Sequence, residues 1–137
     1  MINSLFLAED LYQQMTEHAQ CSLPHEAVGL LGGDTGGTVT MVQPLLNLMQ
    51  HRVFFADPRS QYEAEKAITG SGNIVLAVYH SHPNGGVEPS TTDLHFASLR
   101  SLVYVIIALA RPHLQDVEIR AFRLVDQRIH NVPLLVS

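Results

Sequence analysis

The chain has 137 residues, 46% of them apolar, one cysteine and a net charge of −5, which suits one compact domain that needs no disulfides. A lone thiol cannot form an intramolecular bridge, so a disulfide-stapled secreted scaffold is excluded and a reducing cytoplasm expected. With 8 Lys and Arg against 13 Asp and Glu and no basic run, neither nucleic acid nor an anionic membrane is an expected partner.

The first basic residue is Arg52, so the start of the chain lacks the positive segment of a secretory or mitochondrial leader. The longest apolar run, Leu102 to Ala110, has nine residues, short of the roughly 20 that span a bilayer. No repeat or linker divides the chain, and residues 1–137 are expected to form one soluble, cytoplasmic domain.

Leu7, Leu11 and Met15 recur at helical spacing and predict an amphipathic helix from Ala8 to Gln20. Ser22-Leu23-Pro24 should end it, because the residue before a proline avoids helical angles. Glu26 to Leu31, closed by Gly32-Gly33, reads as a strand with Glu26, Val28 and Leu30 on one side and His25 turned away. Asp34 to Gly37 reads as a hairpin turn and Thr38 to Val42 as the returning strand. Arg52 to Phe55 is another strand candidate, with Phe54 and Phe55 expected in the core.

Asp57-Pro58 has the form of an N-cap followed by proline at the first helical position, which starts a helix through Ser60 to Ile68. The apolar stretch Asn73 to Tyr79 predicts a strand buried on both faces. Continued to His82, it sets Ile74, Leu76, Val78, His80 and His82 on one side. A helix should begin at Ser90, then strands at Leu102 to Ala110, Val117 to Leu124 and Ile129 to Val136, with Asp126-Gln127 as a turn. Helices interleaved with five or more strands place the fold in the α/β or α+β class, with strand order left open.

Two imidazoles at a strand end and an acid near a helix start are individually ordinary. Ser90-x-x-Asp93 also reads as a capping box. Together, however, His80, His82 and one carboxylate supply the three ligands of a catalytic zinc site, which keeps its fourth position for water.

The string His80-Ser81-His82-Pro83, six residues, then Ser90-Thr91-Thr92-Asp93 resembles the motif of the JAMM (MPN-plus) metalloproteases. That family's distant glutamate lies in a Pro-x-Glu-x-x-Gly-x-Leu-x-Gly context. Pro24 to Gly32 has nearly this form, the last glycine being Gly32, one residue early, or Gly33.

The resemblance implies a stand-alone prokaryotic member with a JAMM/MPN core, a mixed β-sheet flanked by helices and related in shape to cytidine deaminases. Deamination is excluded by the missing Cys-x-x-Cys pair. By the resemblance, His80, His82 and Asp93 hold one catalytic zinc, Glu26 acts as the base that activates the metal's water, and Ser90 donates to the oxyanion.

The function implied is that of a metallopeptidase or isopeptidase, cleaving an amide after the C-terminal Gly-Gly of a ubiquitin-like or sulfur-carrier protein. The alternatives are a non-catalytic MPN scaffold and a metal-binding module without chemistry. Scaffold relatives have lost ligands of the motif whereas this chain keeps all of them, and a metal-binding module has no need of Glu26 and Ser90. His18, His25, His51, His95, His113 and His130 are read as ordinary histidines, Cys21 as a small buried hydrophobe, and Gly85-Gly86 as a turn.

Overall fold

The computed structural model describes residues 2–47, 57–109 and 117–137. Its elements in chain order are β1 (Leu5–Leu7), α1 (Glu9–Cys21), β2 (Val28–Gly33), β3 (Val39–Leu45), α2 (Pro58–Gly70), β4 (Ile74–His82), α3 (Thr91–Ala97), β5 (Val103–Ala108), β6 (Glu118–Val125), β7 (Arg128–Val132) and β8 (Leu134–Val136). A six-stranded sheet runs β3-β2-β4-β5-β6-β7, and β1 pairs with β8 in a separate ribbon. Only the β4–β5 pair within the large sheet is parallel, with α3 in the crossover between them. The architecture is the expected α+β class with a mixed sheet flanked by helices. No helix among the described residues is long and apolar enough to cross a membrane.

Two apolar clusters cover the two faces of the sheet. On one, Met15 and Ala19 of α1 join Leu31, Ala77, Tyr79, Val105, Ile107 and Ala121. On the other, Ala64 and Ile68 of α2 and Ala97 of α3 meet Val28, Leu30, Val78, Tyr104, Ile106 and Phe122. The neighbours alternate between faces with the two-residue period of a strand. Hence β2, β4 and β5 read as nearly continuous apolar runs.

The helix starts follow their local chemistry. Ser60 N donates to Asp57 Oδ2 at 2.9 Å with Pro58 just inside α2, and α3 opens on a reciprocal capping box between Ser90 and Asp93. Asp126 and Gln127 turn the β6–β7 hairpin with φ of 50° and 63°, the left-handed pair that a tight two-residue hairpin requires.

Several expectations change. Leu7 belongs to β1, not to the first helix's apolar stripe. In β1, Leu5 and Leu7 are buried and Phe6 is exposed, a signal too short for periodicity to separate from the helix beside it. The strand expected over Ile129 to Val136 is two strands, split at Pro133, which has no N–H to continue a ladder. Its second part pairs in parallel with β1. Strand β3 runs on to Leu45 through Pro44, tolerated because β3 lies at the sheet's edge.

The first strand of the large sheet begins at Val28, so Glu26 and His25 precede it. The expected single face of β4 is interrupted by a bulge. Leu31 pairs with Ala77 but Gly32 pairs with Val75, so Leu76 is left over and packs with Ala77 in the α1 cluster. Val78, His80 and His82 keep the shared face. The strand candidate Arg52 to Phe55 lies outside the described residues.

Gly29 pairs with Tyr79, whose ring takes the space a side chain would need. A Cβ on Gly29 would sit 2.2 Å from Tyr79 Cε2. Gly29→Ala should therefore destabilise the protein by about 1–3 kcal/mol, with a lower urea midpoint at unchanged slope as the check.

Candidate metal centre

Strand β4 ends on the two histidines that project towards α3. His80 is 1% exposed, and its Nε2 lies 3.1 Å from His82 Nε2 and 3.1 Å from Asp93 Oδ1. His82 Nε2 is 2.9 Å from Asp93 Oδ2. The other ring nitrogen of His82, Nδ1, is 2.8 Å from Gly86 O. A carbonyl can only accept, so Nδ1 carries the proton and the Nε2 lone pair faces the centre, the orientation of a metal-ligating histidine.

Asp93 stands in the first turn of α3, nearly buried, where Ser90 N donates to its Oδ2 at 2.9 Å. In return Asp93 N donates to Ser90 Oγ at 3.0 Å. The box thus fixes the carboxylate against the histidines while leaving the proton of the exposed Ser90 hydroxyl free to point outwards.

Glu26 arrives from the opposite side. Val28 pairs with His80, and beyond the end of β2 the pairing is carried one step further. Ser81 N donates to Ala27 O at 3.0 Å, and Ala27 N donates to Ser81 Oγ at 2.8 Å. Antiparallel counting then sets Glu26 opposite His82. Asn47 Nδ2 adds a bond to Glu26 O at 2.7 Å. Glu26, His80 and His82 form the set of metal-binding groups whose donor atoms all lie within 4.8 Å of one another. Glu26 Oε2 is buried with no hydrogen-bond partner among the described residues.

This arrangement fits a zinc ion. Four ligands at 2.0–2.1 Å in a tetrahedron lie about 3.3 Å apart. The three contacts joining His80, His82 and Asp93, at 2.9–3.1 Å, are close to three such edges. The set Glu26, His80 and His82 is looser, and the Glu26 carboxylate suits the edge of the centre better than the ligand shell.

Titration follows from burial and neighbours. Burial raises Glu26 to about 7, with His82 opposing and the Asp93 charge adding to the rise. Burial holds His80 below its ordinary value despite Asp93. For His82, burial is outweighed by the hydrogen bonds to Asp93 and Gly86 and by the charges of Asp93 and Glu26, and its value rises. Burial also works against the Asp93 carboxylate, but the hydrogen bonds to His80 and His82 overcome it and hold Asp93 well below the carboxylate range.

All five residues singled out from the motif, Glu26, His80, His82, Ser90 and Asp93, lie at this end of the sheet. Ser81, Asn47 and the Gly86 carbonyl were missed. Ser81, fully buried, was marked only by being a hydroxyl inside an otherwise apolar strand. His18 Nδ1 lies 2.6 Å from Tyr79 Oη, tying α1 to β4, and His51 and His113 lie outside the described residues. Cys21 is exposed, not buried, because it falls in the last turn of α1 on the solvent side.

Residues 8–125 match the model of the prokaryotic homologues of the JAB domain. The CysO-cysteine peptidase of Mycobacterium tuberculosis is 29% identical over 134 residues, covering 96% of this chain and 90% of that protein. The desampylase of Haloferax volcanii is 34% identical over 115 residues, covering 74% and 78%. Among solved structures, protein DSY2949 from Desulfitobacterium hafniense superposes with a TM-score of 0.87 at 34% identity, over 97% of this chain and 92% of that one. A structure described as JAMM, a metalloprotease-like zinc site in the proteasome and signalosome, has a TM-score of 0.62 at 16% identity, over 98% of each chain, and shares the fold.

The raised Glu26 value has a consequence in metal-free protein. A carboxyl whose folded value lies above its unfolded one stabilises fully below the unfolded value of about 4.5 and loses that contribution as pH rises through about 7. Metal-free Glu26→Gln should therefore melt above the parent at pH 8, by about 1–2 kcal/mol after allowance for solvent screening. The gap should close as pH falls towards 4.5, as followed by thermal unfolding in chelator.

Proposed function

The chain belongs to the family of prokaryotic homologues of the JAB domain, and from that membership and the geometry at the end of β4 we propose that it is a zinc-dependent hydrolase of amide bonds. The bond cleaved follows the C-terminal Gly-Gly of a ubiquitin-like or sulfur-carrier protein. The observation that carries the reading is the convergence of His80, His82 and Asp93 donor atoms at 2.9–3.1 Å beside Glu26, whose buried Oε2 has no hydrogen-bond partner among the described residues. Relatives named CysO-cysteine peptidase and desampylase support the substrate class.

His80, His82 and Asp93 would hold the zinc. Bound there, it would lower the pKa of a water and polarise the scissile carbonyl. Glu26, with a value near neutrality, takes the proton of the attacking water and passes it to the departing amine. Its buried Oε2 has no competing bond among the described residues. Ser90 Oγ already accepts from Asp93 N, so the hydroxyl proton is the part left to donate to the developing oxyanion.

Metal analysis should find one zinc per chain. Glu26→Gln should keep that zinc and lower cleavage of a Gly-Gly-linked carrier fusion by about 10²–10⁴, read by mass spectrometry. Asp93→Ala should lose the zinc as well. A Glu26→Gln protein that turned over at the parental rate would remove Glu26 as the base.

Ser90→Ala should retain zinc and reduce kcat by about 10²–10³ with little change in KM, because an oxyanion donor acts in the transition state. A change confined to KM would count against that role.

A further inference from the structure

We infer that Ser81 and Asn47 are positioning residues for the base, gripping the peptide unit between Glu26 and Ala27 at its two ends so that the Glu26 carboxyl is aimed at the centre. This rests on the hydrolase reading above and adds to it two residues that act through Glu26.

The regular pairing of β2 with β4 ends at Val28 opposite His80. One step further, Ser81 N donates to Ala27 O at 3.0 Å, as in a ladder rung whose two residues exchange both main-chain bonds. The return bond goes to a side chain instead. Ala27 N donates to Ser81 Oγ at 2.8 Å, so a hydroxyl closes the rung in place of a carbonyl. The regular strand starts only at Val28, and Glu26 stands just outside it.

The Glu26 carbonyl and the Ala27 amide belong to one planar unit and point in opposite directions. Asn47 Nδ2 donates to that carbonyl at 2.7 Å, while Ser81 Oγ takes the amide. Asn47 follows the end of β3 and Ser81 lies on β4, and the sheet order β3-β2-β4 makes these the two flanks of β2. Both ends of the plane are therefore held by side chains, one reaching in from each flank. With the plane fixed, the rotation about the Glu26 Cα–C bond that would swing its side chain away from His82 is restricted.

Burial makes the grip stiff. Ser81 has no exposed surface and Ala27 is 2% exposed, so water is a poor substitute for a lost acceptor. Side chains alternate along β4, which turns Ser81 away from the face shared by His80 and His82 and towards the α1 cluster that contains Ala27. A hydroxyl there adds nothing to apolar packing, and its route to the centre runs through Ala27 to Glu26. Placement matters because a shift of about 1 Å in a reacting group can cost about 10² in rate.

The test compares Ser81→Thr with Ser81→Val, two side chains of nearly equal shape of which only threonine keeps the acceptor. On a Gly-Gly-linked carrier fusion, zinc-loaded Ser81→Val should lose about 10–10² in kcat with zinc content and KM unchanged. Ser81→Thr should stay within about threefold of the parent. Asn47→Leu, at a half-buried position, should show the same loss confined to kcat. Amide exchange followed by NMR should find Ala27 N–H exchanging about tenfold faster in Ser81→Val than in Ser81→Thr.

A double-mutant cycle separates positioning from packing. In a Glu26→Gln background the Thr and Val variants should cleave at the same residual rate, because a residue that acts through the base has nothing left to position. Equal losses in Ser81→Thr and Ser81→Val, a Val loss that persists without Glu26, or zinc lost together with kcat would overturn the role of Ser81. An Asn47→Leu enzyme with parental kcat would remove Asn47 from the grip. Each of these results leaves the hydrolase intact. A parent that cleaves no Gly-Gly-linked fusion would count against the hydrolase reading, and this inference would fall with it.

Discussion

The pairing of β2 with β4 is the constraint from which the centre follows. His80 and His82 are local to each other, but Glu26 is more than fifty positions away in the chain, and only the register of β2 sets it opposite them. A slip of one residue would turn every β2 side chain to the other face, sending Glu26 towards α1. The register is held by large, buried complementarity, with Val28 and Leu30 in one cluster and Leu31 in the other. It is extended past the last paired residue by Ser81, whose backbone and side chain each bond Ala27. The bulge at Leu76 lies behind this, so the interruption of the face is confined to the end of β4 far from the histidines.

The second constraint is electrostatic. Two carboxylates and two imidazoles share a small, largely buried volume, and each pushes on the others' protons. Asp93 is kept ionised by two histidines and by the backbone N–H of Ser90, the residue that caps α3, at a helix start that itself favours negative charge. Because the same Asp93 closes the capping box, one residue both starts the helix and faces the centre. The parallel β4–α3–β5 crossover places this helix start at the carboxyl end of β4, where the chain must leave the sheet in any case. Loop, cap and the carboxylate facing the histidines are then consequences of a single turn in the path.

Part of the centre was legible in the sequence because some of its pieces obey short-range rules, while their assembly with the distant Glu26 followed from the resemblance of the motif to a known family. His80 and His82 follow from strand alternation, Asp93 and Ser90 from a capping box, and α2 from Asp57-Pro58. What was not legible depends on partners distant in the chain. Nothing around Leu5 to Leu7 announces a strand, since three residues gain their structure only from pairing with Leu134 to Val136. The bulge at Leu76 arises from the fit of β2 against β4 and has no local mark. Ser81 reads as an incidental residue between two histidines until Ala27 is placed beside it. His18 likewise gains its role from Tyr79, a residue on another element.

Burial of Glu26 links the stability of the fold to its chemistry. A carboxyl group with one oxygen buried and unpartnered is unfavourable for the folded chain, and adding a hydrogen-bond donor would relieve it. Such a donor would also lower its proton affinity, moving it away from the value of about 7 at which a base both accepts and returns a proton near neutral pH. The surrounding bonds avoid that outcome by attaching to the backbone. Asn47 binds the Glu26 carbonyl and Ser81 binds Ala27, so the residue is positioned from its main chain while its carboxylate is left without a donor. Strain of this kind is tolerated because the register that imposes it is shared with the core of the sheet.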